Sequence, residues 1–111
     1  MAADAVVAMP SEDRLLNKVL TTLRTRETAL AEMGVRHAAV FASVARGDNR
    51  EDSEVNVIVD VDPDKVATIF DLGEIQQYLE EWLASPVDVA RRDRLRPNVA
   101  AEVEREAVHA F

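Results

Sequence analysis

Valines at positions 55, 57 and 59 alternate with other residues, and this period of two predicts a strand with one face buried. Glu54, Asn56, Ile58 and Asp60 then share the opposite face. Such a strand cannot stand alone: it needs neighbouring strands and a layer of helices over its valines. The apolar spacing elsewhere supplies both. Leu16, Val19, Leu20, Leu23 and Leu30 fall at helical intervals, while Arg14, Lys18, Arg24 and Glu27 fall mostly elsewhere, so an amphipathic helix is expected from an N-cap at Ser11 to about Gly34. Val35 to Phe41 reads as a short buried strand. Ser43 to Arg46 follows as a single helical turn stopped by Gly47, and Asp48 to Ser53 as a loop.

Beyond the valine strand, Asp71-Leu-Gly-Glu74 has the form of a capping box, opening a helix that continues through Leu72, Ile75, Leu79, Trp82 and Leu83. Ser85-Pro86 stops it. Val87 to Ala90 predicts a third short strand, and Pro97 to about Ala107 a last helix. The order helix, strand, strand, helix, strand, helix is that of a small α+β domain. Its first two strands are joined by a segment shorter than a parallel crossover needs, so the sheet is expected to be mixed.

At 111 residues the chain has room for one modest core. Its longest apolar runs, such as Ala38 to Ala42, are far short of the ~18 residues of a membrane span. The start lacks the basic and apolar pattern of a signal peptide, so a cytoplasmic location is the expectation. With no cysteine, disulfides, thiolate metal sites and a cysteine nucleophile are excluded together. A net charge of −8 argues against broad affinity for nucleic acid, though a local basic patch stays open.

The stretch Phe41-Ala-Ser-Val-Ala-Arg-Gly47, a short loop with Ser53, and then Glu54-Val-Asn56 resembles the signature of the minimal nucleotidyltransferase (MNT) family of the DNA polymerase β superfamily. That family reads Phe-Gly-Ser-x-Ala-Arg-Gly, a loop, and Ser-Asp-x-Asp on a strand. Gly34-Val35-Arg36, Phe70-Asp71-Leu72, Pro86-Val87-Asp88-Val89 and Leu95-Arg96-Pro97 are similar to MNT sequences as well, leaving residues 1 to 12 as an N-terminal extension to a domain at 13 to 111. The resemblance implies a polymerase β-like core, a small mixed sheet packed with helices. It also implies a site in which carboxylates at i and i+2 of one strand and a third from a neighbouring strand hold metal ions, while the phosphates of ATP rest on the glycine-serine turn. By the same match, Glu54, Asn56 and Asp88 occupy the positions of the acids, with Glu54 and Asp88 as candidate Mg²⁺ ligands. Ala42, Ser43, Arg46 and Gly47 occupy the nucleotide-binding positions.

Three of these positions depart from the family pattern. Ala42 puts a methyl group where glycine allows close approach of backbone to phosphate. Glu54 keeps its charge but moves its oxygens by roughly 1.5 Å, one C–C bond. Asn56 can offer an amide oxygen but no negative charge, so the carboxylates fall from three to two and Mg²⁺ binding is expected to be weak or lost. Taken alone, Glu54 and Asn56 would be polar residues on a solvent face, and Asp88 an edge acid.

The resemblance, with these departures, implies a protein of reduced or lost catalytic activity that acts as an antitoxin-type partner of a HEPN-domain toxin. An active nucleotidyltransferase moving AMP from ATP to a protein or small molecule is the alternative, and a homo-oligomer of other role a third. Arg91, Arg92, Arg94 and Arg96 form one dense basic cluster, read first as a solvated loop and second as a contact for triphosphate, RNA or an acidic partner. His37 and His109 lack partners at metal-ligand spacing and are read as structural, as Trp82 is read as core.

Overall fold

The computed structural model describes residues 11–46 and 54–111. The expected extension up to residue 10, the turn residue Gly47 and the loop from Asp48 to Ser53 lie outside the described residues. The valine strand is β2 (Val55–Val61), and it lies between β1 (Val35–Phe41), antiparallel to it, and β3 (Val87–Arg91), parallel to it. A short β4 (Val108–His109) adds to the free side of β1, giving the order β3-β2-β1-β4. The mixed sheet expected from the sequence is therefore present, with a fourth strand the sequence did not reveal. Two residues are too few to show a period, and β4 is held from outside itself: Arg24 donates from Nε to the Ala110 carbonyl at 2.8 Å and from Nη2 to that of His109 at 3.2 Å.

Helices α1 (Ser11–Thr25), α2 (Glu27–Glu32) and α4 (Ile69–Leu83) supply the cover for the valines, and Val55, Val57 and Val59 are each only 1% exposed. Val19, Leu23, Leu30, Ile75, Leu79 and Leu83 complete this core. The single first helix expected to reach Gly34 is instead two, jointed at Arg26, where the backbone leaves helical geometry at φ −96° and ψ 12°. Thr25 and Thr28 flank the joint, and β-branched residues hold a helix weakly. The Arg26 guanidinium lies 4.9 Å over the centre of the Trp82 ring. Trp82 is thus half-buried at the edge of the core, under a cation on one side and with Tyr78 5.6 Å away, and not within the core as its stripe suggested.

Three further expectations are corrected. The capping box of α4 begins three residues earlier, at Thr68: its hydroxyl accepts from the N–H groups of Phe70 and Asp71, while Asp71 accepts from the N–H of Thr68. Asp71 is the far member of the box, the place usually held by Glu or Gln. Ile58, assigned by alternation to an open face, is 6% exposed because α5 (Pro97–Glu106) crosses that side of the sheet, and Ile58 and Val103 line a common crevice. His37 and His109 are both exposed on that same side and support no core.

β3 is the edge of the sheet, and its outward N–H groups are occupied: Val87 donates to Glu80 and Val89 to Gln76, both from α4. Those bonds blunt the edge and fix the strand that carries Asp88.

Gly34 turns the chain from α2 into β1 with φ +103°, and a Cβ there would lie 2.8 Å from Lys65 Cβ and 3.0 Å from Val66 Cγ2. Its carbonyl also accepts from the Asp62 N–H at 2.7 Å. Both the dihedral and the close approach select glycine. Gly34→Ala should therefore lower stability by about 2 kcal/mol in urea denaturation, from strain and overpacking together. An unchanged midpoint would show that the turn relaxes freely.

Candidate functional site

The end of β1 and the beginnings of β2 and β3 meet at one corner of the sheet, on the face opposite the valine core. Phe41 is the register partner of Asn56, and Asn56 is the register partner of Asp88. Glu54 lies one residue before β2 and two before Asn56, the spacing at which extended backbone turns side chains to the same side. Asp88 and Glu54 are exposed, Asn56 is half-buried, and the Asn56 side-chain amide donates to the Glu54 carbonyl at 3.4 Å. The three positions that sequence comparison marked as acids are thus brought together from two strands. Among the described residues no three His, Cys, Asp or Glu side chains are placed to hold a metal ion. The corner offers two carboxylates and an amide, a donor set that can hold one hard cation alongside phosphate oxygens and leaves a second dication short of charge.

From Phe41 the chain enters a short helix, α3 (Ala42–Arg46), anchored by the fully buried Val44. Ala42 opens it at φ 65°, in the left-handed region that glycine favours. An alanine here carries a backbone built for glycine. Ser43 is half-buried beside it, and Arg46 is exposed with Nη1 3.4 Å from Glu106 Oε1 of α5. Ala42 and Ser43 therefore stand next to Asn56 and its neighbours, whereas Arg46 reaches toward the last helix. Gly47, the remaining nucleotide-binding candidate, is outside the described residues.

The arginine cluster is not one patch. Arg91 is only 10% exposed: it makes paired contacts with Asp93 at 3.0 and 2.9 Å and donates to the Val66 carbonyl at 3.2 Å. The hydrogen bond from Arg91 is the main reason the Asp93 carboxyl lies below its ordinary range, and the same bond raises the Arg91 guanidinium. Arg92 approaches Asp60 at 3.6 Å and Glu104 at 4.0 Å, tying β2 to α5. Arg94 and Arg96 are exposed. Charge density along the sequence could not show this division, because the acids that pair with Arg92 come from distant segments.

The fold is that of a nucleotidyltransferase domain, and the chain belongs to that family: it matches the nucleotidyltransferase domain profile over residues 16–109. It is 33% identical over 95 residues to the protein adenylyltransferase MntA of Thermococcus cleftensis, covering 85% of this chain and 94% of that protein. Among solved structures it is similar to a candidate minimal nucleotidyltransferase, with 35% identity, a TM-score of 0.65 and coverage of 80% of this chain and 93% of that one. A toxin–antitoxin structure containing AMP-PNP shares the fold at 18% identity and a TM-score of 0.63, over 86% of this chain and 72% of that chain. The MNT resemblance read from the sequence is therefore borne out.

Relieving the left-handed alanine gives a test of the corner that needs no ligand. Ala42→Gly should raise stability by about 1 kcal/mol in urea, since a Cβ in that region costs about 1–2 kcal/mol and the gain is offset in part by glycine's freer unfolded chain. A loss of stability would mean that the backbone at Ala42 is not strained.

Proposed function

We propose that this chain is a nucleotidyltransferase-fold antitoxin that silences a HEPN-domain toxin by direct contact, with its catalytic activity reduced or lost. The observation that carries the reading is at the corner itself. Ala42 holds a glycine backbone at φ 65° without being glycine, beside a pair of strands in which Asn56 stands opposite Asp88 where the family places carboxylates. The scaffold is kept while the groups that would meet phosphate and metal have changed. That distribution is expected when selection acts on the surface and no longer on the reaction.

In this reading Glu54 and Asp88 hold at most one Mg²⁺, with the Asn56 amide oxygen as a neutral neighbour, and Ser43 lies where a phosphate of ATP would rest. A bound Mg²⁺ would neutralise charge on the triphosphate. The residues of the chain would do the rest: the β2–β3 pairing sets Asn56 against Asp88, Glu54 precedes β2 by one residue, and the turn at Ala42 and Ser43 would set the distance of phosphate from them. The added methylene of Glu54 displaces its oxygens by more than the about 1 Å that can cost ~100-fold in rate.

A second reading, transfer of AMP from ATP to a protein, is favoured by one observation. The Thermococcus relative, which this chain matches over 85% of its length, is named a protein adenylyltransferase. The toxin–antitoxin neighbour supports the compatibility of this fold with a toxin–antitoxin assembly.

One experiment separates the two readings. The combined variant Ala42→Gly, Glu54→Asp, Asn56→Asp is compared with the natural sequence for transfer of labelled AMP from ATP to a cognate HEPN-domain protein. The variant should label its partner at least about 100-fold faster. Equal and substantial labelling by both forms would overturn the antitoxin reading based on contact and restore the enzyme.

A further inference from the structure

The outer face of α4 carries exposed apolar side chains, of which Tyr78 meets the Trp82 ring while Ile69 and Phe70 stand largely in solvent among the described residues. Phe70 is 81% exposed, Ile69 79% and Tyr78 42%. Gly73 lies among them, and a Cβ added there would meet nothing within 4 Å. Glycine weakens the middle of a helix relative to alanine, so its presence calls for a reason, and among the described residues no close contact provides one. What it leaves is a notch between Phe70 and Tyr78 where another backbone can approach. Glu74 and Glu81 line the same groove, both exposed, and neither forms an ion pair or hydrogen bond among the described residues.

We propose that this face of α4 is a docking surface for an amphipathic helix of another protein, one whose apolar ridge is flanked by lysine or arginine. The inference rests on the reading that the chain acts through a protein partner, and it names the surface and the partner's chemistry. The apolar side chains give the anchors, the notch admits the helix, and the unpaired glutamates select for positive flanks.

A second copy fits less well. A two-fold pairing that used the notch would bring Glu74 of each copy together, on chains that already carry a net charge of −8. The inner face of α4 packs through Ile75, Leu79 and Leu83 on the valine side of the sheet, whereas Asn56 and Asp88 project from the other. A helix docked on α4 therefore leaves the nucleotidyltransferase corner open.

The test uses the full chain and a synthetic amphipathic helix of about five turns, with a leucine ridge flanked by lysines, against the same peptide flanked by glutamates. Trp82, the single tryptophan, lies 5.6 Å from Tyr78 and reports binding by its fluorescence. The lysine peptide should bind saturably and more weakly in high salt, while the glutamate peptide should not bind. Phe70→Ser should weaken binding at least about ten-fold, with little effect on folding because the side chain is solvent-exposed. Glu74→Lys with Glu81→Lys should reverse the preference between peptides, and Gly73→Ala should raise the urea midpoint while weakening binding.

Failure of the lysine peptide to bind, or equal binding by all variants, would overturn the proposal. Sedimentation showing a dimer that Phe70→Ser dissolves would overturn it in favour of a second copy. A HEPN complex that forms equally with the natural chain and with Phe70→Ser would remove this surface and leave the antitoxin reading standing. Absence of any complex with the natural chain, alongside the expected peptide results, would remove the antitoxin reading and leave the surface.

Discussion

The register of β2 between its two neighbours is the constraint on which the rest of the molecule depends. Val55, Val57 and Val59 are buried beneath α1, α2 and α4, and because side chains alternate, that burial turns Asn56 and Asp60 to the other side. A slip of one residue would put the valines into water and the polar residues into the core, so the hydrophobic effect fixes the register firmly. The same register sets Asn56 against Phe41 on one side and against Asp88 on the other. The corner that resembles a catalytic site is thus a by-product of core packing. It can persist whether or not any reaction is still performed there.

This separation of scaffold from chemistry explains the condition of the corner. The turn into α3 still takes the left-handed conformation at Ala42, although a Cβ makes it costly. The buried Val44 two residues further on and the pairing of Phe41 hold the chain on both sides, leaving the backbone at residue 42 little freedom. Glu54, Asn56 and Asp88 have no comparable hold on the fold. Glu54 and Asp88 are exposed and Asn56 is half-buried, so changes of charge and length there are tolerated by stability and felt only by function.

The features legible in the sequence were those with a period or a motif. The valine alternation, the stripes of α1 and α4 and the spacing from Phe41 to Asn56 led to the mixed sheet and to the residues that meet at its corner. What escaped depends on contacts between distant segments. β4 exists because β1 has a free edge and Arg24 binds the terminal carbonyls. Ile58 is buried because α5 happens to cross it, and Arg91 and Arg92 are occupied by Asp93, Asp60 and Glu104, so a run of arginines did not make a basic patch. The cap of α4 was misplaced for a local reason: Asp71 substitutes for the usual Glu or Gln, and the pattern beginning at Thr68 was hidden. Phe70 and Ile69 sit in an apolar segment that looks like core, and only the direction in which α4 faces shows them to be exposed.

The central claim is that the corner keeps the geometry of a nucleotidyltransferase without the charge for two metal ions. Counting bound Mn²⁺ by electron paramagnetic resonance, with a non-hydrolysable ATP analogue and correction for metal held by the nucleotide alone, tests it directly. The account predicts no more than one weakly bound ion per chain, lost when Asp88 is replaced by alanine. Two ions bound per chain, both dependent on Glu54, Asn56 and Asp88, would contradict it.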